Sequence, residues 1–301
     1  MLQSLSALVD LWIGRRAEPR PEALAAVAGL SPAVVVTGGS RGIGRALADR
    51  FARSGRPVMV LAREQEPIEA AASEIARATG VRIVPLALDV TLPDAPARLD
   101  AALTEAGLYA DVLVNNAGVG LAGAFADQSA ARIEHLIALN ITAATRLMHH
   151  ALPPMLARGR GGVLNIGSLG GLVPGPYQAA YYASKAYLVS LTEAVAFEAR
   201  GRGVRIAVVA PGPVATRFHR AMQAEDALYR TLLPTLSAEA VAWSAYRGFL
   251  LGRTLIVPGL LPSLAAIAVK FLPHTLSVPV VGALLGIGTG TSSAPPRNGA
   301  R

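Results

Sequence analysis

Short apolar runs alternate with longer segments of helical periodicity through most of this 301-residue chain. The runs are rich in β-branched residues, as buried strands are, and lie at residues 33–37, 57–62, 82–88, 111–115, 163–166, 204–210 and 255–258. Helical segments separate them at residues 45–54, 67–79, 93–106 and 130–157, and again from residue 177. Repeated strand–helix units predict a doubly wound α/β fold, with one parallel sheet flanked by helices in a single domain over residues 32–257.

The first 31 residues precede this pattern. Residues 2–13 are apolar with helical spacing, and Arg15 and Arg16 follow them before a proline-rich connector. A secretory signal has its positive charges before the apolar run and a small-residue cleavage site after it, which is not the order found here. We expect a helical arm that packs on the body or on a partner, in preference to a membrane anchor.

Residues 258–287 form an apolar extension after the last predicted strand. A membrane helix needs about 20 apolar residues, but four prolines and Lys270 interrupt this run. We therefore favour short helices that roof an apolar pocket or form an interface, in preference to membrane contact.

Two further segments have distinctive compositions. The polar and flexible composition of residues 288–301 predicts a disordered tail. Residues 217–252 are helical and variable in polarity, which predicts a lid or substrate loop.

Composition and charge exclude several classes of protein. The net charge of +8 and the pI of about 10.4 would suit nucleic acid, but the arginines are scattered and aromatic residues make up only 5%, so we predict no nucleic-acid partner. Without cysteine the chain has no disulfide and no thiolate metal site, which fits a cytoplasmic protein. The five histidines form no metal-ligand pattern, so no metal is expected.

The stretch at residues 163–185 holds the most informative reactive groups. Ser168 follows a predicted strand, and Tyr181 and Lys185 are four residues apart on a predicted helix. At this spacing both side chains lie on one face, and an ammonium beside a phenol lowers the phenol pKa from about 10. Tyr181 is then a usable proton donor at neutral pH, with Ser168 placed to bond the same substrate oxygen. Chance alone can give a tyrosine and a lysine at this spacing. However, only Lys185 and Lys270 among the 28 cationic residues are lysines, so a lysine at this position departs from the chain's strong preference for arginine.

A glycine-rich turn joins the first predicted strand to the first helix. It contains Gly38, Ser40, Arg41, Gly42, Ile43 and Gly44. Glycines permit a tight turn, and the free N–H groups of the helix N-terminus attract a pyrophosphate. The second strand ends in Ala62 and Arg63, where an NAD-binding fold usually has an acidic residue for the ribose. Arg41 and Arg63 therefore predict a site for a 2′-phosphate, the alternative being two solvated arginines.

Other loops follow the remaining predicted strands. Asp89 ends the third strand, and small residues follow Asn115 at the end of the fourth. Residues 211–216 follow the strand at 204–210. Asn140 lies between Leu139 and Ile141, and by itself such a residue is more typical of one that satisfies a backbone group.

Together these motifs resemble the short-chain dehydrogenase/reductase family. The matching positions, in order and spacing, are Thr37, Gly38, Gly42, Gly44, Asp89, Asn115, Asn116, Ala117, Gly118, Asn140, Ser168, Tyr181, Lys185, Pro211 and Gly212, and they cover about residues 33–257. The resemblance implies a Rossmann-type fold and an NADP (NADPH) cofactor, because Arg41 and Arg63 match the NADP-preferring members. It also implies a homodimer or homotetramer.

The resemblance further implies roles for individual residues. Tyr181 would be the general acid/base, Lys185 would lower its pKa and bind the nicotinamide ribose, Ser168 would hold the substrate carbonyl, and Asn140 would support a water linked to the lysine. The implied cofactor-binding residues are Gly38, Ser40, Arg41, Gly42, Ile43, Gly44, Arg63, Asp89, Val90, Asn115, Ala117, Gly118, Tyr181, Lys185, Pro211, Gly212, Val214 and Thr216. Asp89 would contact the adenine, and residues 211–216 would reach the nicotinamide amide.

The leading hypothesis is thus an NADP(H)-dependent oxidoreductase that transfers a hydride between nicotinamide and a carbonyl or alcohol carbon of an apolar small molecule. One alternative is a non-catalytic dinucleotide-binding sensor on the same fold, against which the intact Ser168, Tyr181 and Lys185 set argues. Another is a membrane-peripheral reductase of a lipid-like substrate.

Overall fold

The computed structural model describes residues 18–216, Phe218, Met222, 235–271 and 273–286. Within them one sheet contains the strands β1 (Ser31–Thr37), β2 (Val58–Ala62), β3 (Ile83–Ala87), β4 (Leu108–Asn115), β5 (Gly161–Ile166), β6 (Val204–Val209) and β7 (Leu255–Ile256). All neighbouring strands are parallel, in the order β3-β2-β1-β4-β5-β6-β7. The order reverses between β1 and β4, so the predicted doubly wound α/β fold is confirmed.

Helices connect the strands and cover both faces of the sheet. In chain order they are α1 (Pro21–Ala25), α2 (Gly42–Ala52), α3 (Gln65–Thr79), α4 (Ala95–Glu105), α5 (Ala130–Ile137), α6 (Ala144–Arg158), α7 (Ala179–Glu198), α8 (Ala238–Leu250), α9 (Leu260–Phe271) and α10 (His274–Gly286). Short 3₁₀ turns at Phe125–Asp127 and Leu169–Gly171 complete the described elements.

The core has two halves because successive side chains of a strand point to opposite faces. On β1, Val34 and Val36 pack into the half beneath α2, α3 and α8, whereas Ala33 and Val35 pack into the half beneath α4 and α6. All four are fully buried. A strand that is apolar on both faces is expected for a parallel sheet covered on both sides, and this explains why the sequence shows continuous apolar runs and no strict alternation.

Two element boundaries differ from the sequence prediction. Strand β4 begins at Leu108 and not at residue 111, because residues 108–110 pair with the start of β1. The helix expected over residues 130–157 is broken into α5 and α6 by a π-helical turn at Ala138–Ala143. Such turns are rare and have no simple sequence signature.

The substrate loop expected over residues 217–252 is too long. Residues 238–250 form α8, a helix that packs on α2 through Phe249 and Tyr246, whose rings meet Phe51 edge-on at 6.4 and 5.2 Å. Helix α8 therefore belongs to the body of the fold. Of residues 217–236, the structure describes Phe218, Met222, Thr235 and Leu236. The expected N-terminal arm at residues 2–13 and the tail at 288–301 lie outside the described residues.

The apolar extension contains the two helices α9 and α10. Helix α9 ends at Phe271, α10 begins at His274, and Pro279 lies inside α10. No helix in the described part of the chain combines the length and apolarity needed to cross a bilayer. Helix α10 packs on the loop before α7, where Gly282 faces Pro176 and Gly286 faces the ring of Tyr177, which has a positive φ of 64°.

Candidate active site

A cavity of about 1960 Å³ opens at the carboxyl ends of the strands, where ligands bind in open parallel sheets. It brings together nearly all the predicted site residues. Those that line it are Gly38, Ser40, Arg41, Gly42, Ile43, Arg63, Asp89, Val90, Ala117, Gly118, Ser168, Tyr181, Lys185, Pro211, Gly212, Val214 and Thr216. The exceptions are Gly44, Asn115 and Asn140, which lie behind the cavity wall.

Tyr181 and Lys185 lie one turn apart on α7 and face the cavity together. The lysine Nζ is 5.9 Å from the centroid of the tyrosine ring. Both residues are almost fully buried, with 8% and 6% of their surface exposed. A helix that carries a phenol and an ammonium at this spacing places the positive charge beside the phenol, where it favours the phenolate.

Lys185 occupies an apolar, buried position. Its Nζ donates a hydrogen bond of 2.8 Å to the carbonyl oxygen of Ile166 at the end of β5. Burial disfavours the charged form and lowers the pKa of Lys185 from its ordinary 10.5 to about 8. A side chain on Gly118 would lie 3.1 Å from Asn140 Oδ1, which is a tight contact, and 3.6 Å from this Nζ, which is an ordinary one.

Ser168 is held in place by the loop that follows β5. Its Oγ accepts a hydrogen bond of 3.1 Å from the backbone N–H of Gly170 and caps the 3₁₀ turn Leu169–Gly171. The hydroxyl proton is not used in that bond, and the residue lines the cavity. Ser168 is therefore placed to donate a hydrogen bond to a ligand oxygen.

Tyr182, the neighbour of Tyr181, has a different environment. Side chains on Gly170 or Gly175 would lie 3.0 and 2.3 Å from its ring, so the glycines of the loop allow this ring to pack against their backbone. The ring of Tyr182 meets that of Tyr181 edge-on at 6.1 Å. Tyr181, and not Tyr182, lies four residues before Lys185, so Tyr181 is the tyrosine beside the lysine charge.

Asn140 links the π turn to α7, the helix that carries Tyr181 and Lys185. Its Oδ1 accepts from the backbone N–H of Val119 at 2.9 Å, and its Nδ2 donates to the Val119 carbonyl at 2.8 Å and to Ser184 Oγ at 3.1 Å. Ser184 donates in turn to the carbonyl of Tyr181 at 2.7 Å. The carboxamide thus satisfies backbone groups, as the sequence alone suggested, and it also connects the loop after β4 to α7.

The glycine turn after β1 is fixed by the loop after β4. Gly38 and Gly42 have positive φ values of 65° and 57°, which favour glycine. The Thr37 Oγ1 accepts from the backbone N–H groups of Asn116 and Ala117, both at 3.0 Å, and Asn116 Nδ2 donates to the carbonyls of Thr37 and Gly38. Two neighbouring strand ends therefore hold each other, and the start of α2 faces the cavity.

Gly44 does not line the cavity as a cofactor-binding residue would. A side chain there would lie 2.3 Å from both the Gly38 carbonyl oxygen and Asn116 Nδ2. The role of this glycine is therefore to let α2 pack against the turn from behind. The contact of Gly44 with a cofactor stays a prediction.

Asn115 is also not a cavity residue. It is 4% exposed, and its Nδ2 donates to the Ala144 carbonyl at 3.1 Å and to Asn165 Oδ1 at 3.0 Å. Asn165, its partner across the strand pair, donates to Thr192 Oγ1 at 2.8 Å. The side chains form a buried polar network between the sheet, α6 and α7, so the Asn115 side chain does not line the cavity. The contact of Asn115 with a cofactor stays a prediction.

Cationic side chains surround the far end of the cavity, beyond the turn. Arg41 and Arg63 are exposed and line it. Arg45 also lines it but forms an ion pair with Glu74 of α3. Burial would raise the pKa of Asp89, yet hydrogen bonds from Thr91 and the charge of Arg63 outweigh it, so the pKa lies below its ordinary value. Asp89 is thus an anion at neutral pH.

The opposite end of the cavity is apolar. Met222 is 1% exposed and lies against Gly120, and the ring of Phe218 is 5.7 Å from that of Tyr181. Both belong to a cluster with Leu121, Leu136 and Tyr181. Three residues of α10, namely Val281, Leu284 and Leu285, complete this end. The wall around the reactive tyrosine therefore offers apolar contacts to whatever enters.

Sequence reasoning missed several residues that shape the site. Ser184 makes the bond that holds the first turn of α7, and only its position beside a recognised motif residue could have indicated it. Asn116 was part of a recognised motif, but its bonds to the glycine turn had no signal in the sequence. Met222 lies in the expected substrate loop, and Leu284 and Leu285 lie in the extension that was expected to roof an apolar pocket. No pattern singled out these individual residues, since aliphatic residues far apart in sequence meet only in the folded chain.

Comparison with known proteins identifies the relatives of this chain. The family model described as short chain dehydrogenase matches residues 32–227. Sulfoacetaldehyde reductase 2 of Chromohalobacter salexigens is 36% identical over 220 residues, which are 71% of this chain and 86% of that protein.

Solved structures agree with this assignment. A short-chain dehydrogenase from Sphingobium yanoikuyae in complex with NADPH superposes with a TM-score of 0.69 at 30% identity and covers 81% of this chain and 97% of its own. A short-chain dehydrogenase/reductase from Burkholderia phymatum in complex with NAD gives a TM-score of 0.70 at 26% identity, covering 80% and 92%. The fold is thus shared with these proteins, and the family model covers more than half of the sequence, so the chain belongs to the short-chain dehydrogenase/reductase family of oxidoreductases.

Proposed function

We propose that this protein is an NADP(H)-dependent oxidoreductase that acts on a carbonyl or alcohol carbon of an apolar small molecule, with Tyr181 as general acid/base. One observation carries the proposal. Tyr181, the buried Lys185 and Ser168 line the same cavity as the glycine turn and two exposed arginines, so a proton donor, an oxygen-binding hydroxyl and an anion site share one ligand space.

The residues present fit a nicotinamide dinucleotide. Side chains at Gly38 and Gly42 would crowd the turn, lying 2.9 Å from Asn116 Nδ2 and 3.3 Å from the Thr216 methyl, so a backbone cradle is available beside the N-terminus of α2. Asp89 and Val90 would border the adenine, and Pro211, Gly212, Val214 and Thr216 the nicotinamide amide. When bound, the nicotinamide supplies or accepts the hydride.

The proton chemistry belongs to the protein. In the reductive direction Tyr181 Oη donates a proton to the carbonyl oxygen, and in the oxidative direction it takes the proton back from the hydroxyl. Lys185 favours the phenolate that this donation leaves, because its nearly buried ammonium lies beside the ring. Ser168 donates a hydrogen bond to the same substrate oxygen and orients the carbonyl. Asn140, through Ser184, holds the first turn of α7 in register with the loop after β4.

Two observations support the more specific parts of the proposal. A phosphate on the adenine ribose needs cationic donors and is repelled by a carboxylate, and Arg41 and Arg63 are cations at the far end of the cavity. The substrate end is lined by Phe218, Met222 and residues of α10, which favours an apolar substrate. The homo-oligomer and the cytoplasmic location stay predictions.

A comparison of two tyrosine variants tests this function. Against a panel of apolar ketones with NADPH, Tyr181→Phe should lose about 10²- to 10⁴-fold in kcat, since the phenyl ring has no proton to give. It should still bind NADPH, as measured by cofactor fluorescence. Tyr182→Phe is the matched control and should keep activity within a few-fold. Turnover by Tyr181→Phe close to the parent level would overturn the role of Tyr181. NADPH binding with no turnover by the parent on any ketone would instead favour the sensor.

A further inference from the structure

The outer surface of the C-terminal helices has a composition that the site does not explain. Five of the fifteen large apolar side chains that are exposed in the described residues lie on α9 and α10, namely Leu260, Leu261, Leu264, Leu276 and Val280. Between 55% and 78% of each is exposed. Scattered apolar residues are ordinary on a protein surface, but a concentration on two consecutive helices indicates a surface that is covered in use.

Beyond its first two residues, helix α10 has no polar residue on its exposed side. Val281, Leu284 and Leu285 face the cavity, while Gly282 and Gly286 pack on the loop before α7. The exposed positions Leu276, Pro279, Val280 and Ala283 follow the 3–4 spacing of a single helical stripe, and none of the four is polar. A helix at a water-facing surface normally has a polar stripe there, and one without it is buried in protein or lies against lipid.

Charge distinguishes between these two coverings. No Asp or Glu follows Glu239 in the sequence, although Arg247, Arg253, Lys270, Arg297 and Arg301 do. Of these, Lys270 lies near the C-terminal end of α9, and Arg253 precedes the start of α9 at Leu260. Protein interfaces are enriched in aromatic side chains, whereas this stripe is aliphatic with uncompensated cations in the surrounding sequence. Aliphatic residues with flanking cations are the features of a segment that lies in the interface of an anionic bilayer.

We propose that the outer stripe of α10, together with the exposed leucines of α9, docks this protein on an anionic lipid surface. The helices lie flat in the interface with Leu276 and Val280 among the acyl chains, while their inner side continues to line the cavity. An apolar molecule dissolved in the bilayer then meets the roof of the cavity directly. The docking itself requires neither cofactor nor turnover, so it stands or falls independently of the proposed function.

Vesicle sedimentation of the full chain without cofactor tests the docking. The wild type should pellet with phosphatidylcholine vesicles that contain phosphatidylglycerol, less with pure phosphatidylcholine, and less again at high salt. Leu276→Gln combined with Val280→Gln should lower partitioning by about tenfold or more, because two acyl-chain contacts are lost. Leu24→Gln combined with Phe197→Gln is the matched control, since both residues are exposed apolar positions on other helices, and it should pellet like wild type.

A fluorescence measurement covers the case in which sedimentation alone is ambiguous. The emission of Leu276→Trp, after subtraction of the wild-type spectrum, should shift to the blue when anionic vesicles are added. The proposal is overturned if the wild type stays in the supernatant, or if the α10 double variant pellets as well as its control. It is also overturned if light scattering without lipid shows an oligomer that the double variant disrupts while no lipid binding occurs, because the stripe then faces a second copy.

Discussion

The two ends of the cavity are built by different physical means. At the strand ends, Thr37 and Asn116 fix the glycine turn with directional hydrogen bonds between neighbouring loops, and Asn140 and Ser184 do the same for the catalytic helix. At the apolar end of the cavity, here called the roof, Met222, Val281 and Leu284 make apolar contacts that do not depend on direction. Hydrogen bonds require particular atoms at particular positions, whereas apolar packing requires only volume and shape. The polar end should therefore tolerate substitution poorly, and the roof well.

Lys185→Met should have the largest effect of the substitutions that test this contrast. Loss of the ammonium should lower kcat by about 10²-fold or more, because Tyr181 loses the charge that favours its phenolate. Stability should change the opposite way. Burying an ammonium whose pKa falls from 10.5 to about 8 costs the folded state up to about 3 kcal/mol at pH 7, so the variant should unfold at higher urea.

The pH dependence gives the sign of that effect. Below pH 8 Lys185 is protonated in both states and its full cost is present, and between pH 8 and 10.5 the folded state loses the proton first, which relieves the cost. Wild type should therefore gain stability relative to Lys185→Met as the pH rises through this window. Tyr181→Phe keeps the lysine and should follow wild type. A difference in unfolding free energy between wild type and Lys185→Met that stays constant from pH 7 to pH 10 would contradict a pKa of about 8 for Lys185.

Gly44→Ala should disrupt the polar end without touching a ligand. Its new methyl would lie 2.3 Å from the Gly38 carbonyl oxygen and from Asn116 Nδ2, so the turn must shift. Alanine otherwise favours a helix by about 1 kcal/mol over glycine, so any net destabilisation comes from the clash, which typically costs about 1–3 kcal/mol. Urea unfolding should show a loss of stability in Gly44→Ala, and NADPH titration should show a loss of cofactor affinity. Normal cofactor affinity in that variant would disprove the coupling between the packing behind the turn and cofactor binding.

Arg63→Asp should change cofactor choice and leave the roof alone. Charge-assisted bonds to a 2′-phosphate are worth about 1.5–3 kcal/mol each, so the parent should prefer NADPH over NADH by about tenfold or more in kcat/KM. The variant should reverse the preference, because its carboxylate repels phosphate and accepts from ribose hydroxyls. Arg77→Asp makes the same change of charge on α3 away from the cavity. Equal use of both cofactors by the parent, or an unchanged ratio in Arg63→Asp, would mean that the arginines are surface charges.

Leu284→Ala should have the smallest effect. The side chain contributes apolar area to the roof, and its truncation should raise KM for a bulky ketone by a few-fold while kcat changes little. Leu264→Ala, on an exposed position of α9, should leave both constants unchanged. A large fall in kcat with Leu284→Ala would show that the roof positions the substrate as strictly as the strand ends position the catalytic residues.

The sequence by itself determined the sheet and the order of its strand–helix units, and it indicated which reactive side chains share one face of α7. Apolar runs and glycine turns are local features, and Tyr181 and Lys185 are close in space because they are close on one helix. Ser168, Arg41 and Arg63 line the cavity, and their roles there stay predictions. Their placement followed from short-range geometry, because each lies in a loop that directly follows a predicted strand.

Only the tertiary structure decided which of the motif residues reach the cavity. Asn115 is the last residue of β4, directly before the loop residues that line the cavity. Its side chain points into a buried network with Asn165, because successive residues of a strand alternate between faces. The π turn around Asn140, the assignment of α8 to the core and the apolar outer stripe of α10 likewise depend on which surfaces meet. Packing between segments distant in sequence sets these features, and no local pattern records which neighbour a side chain will have.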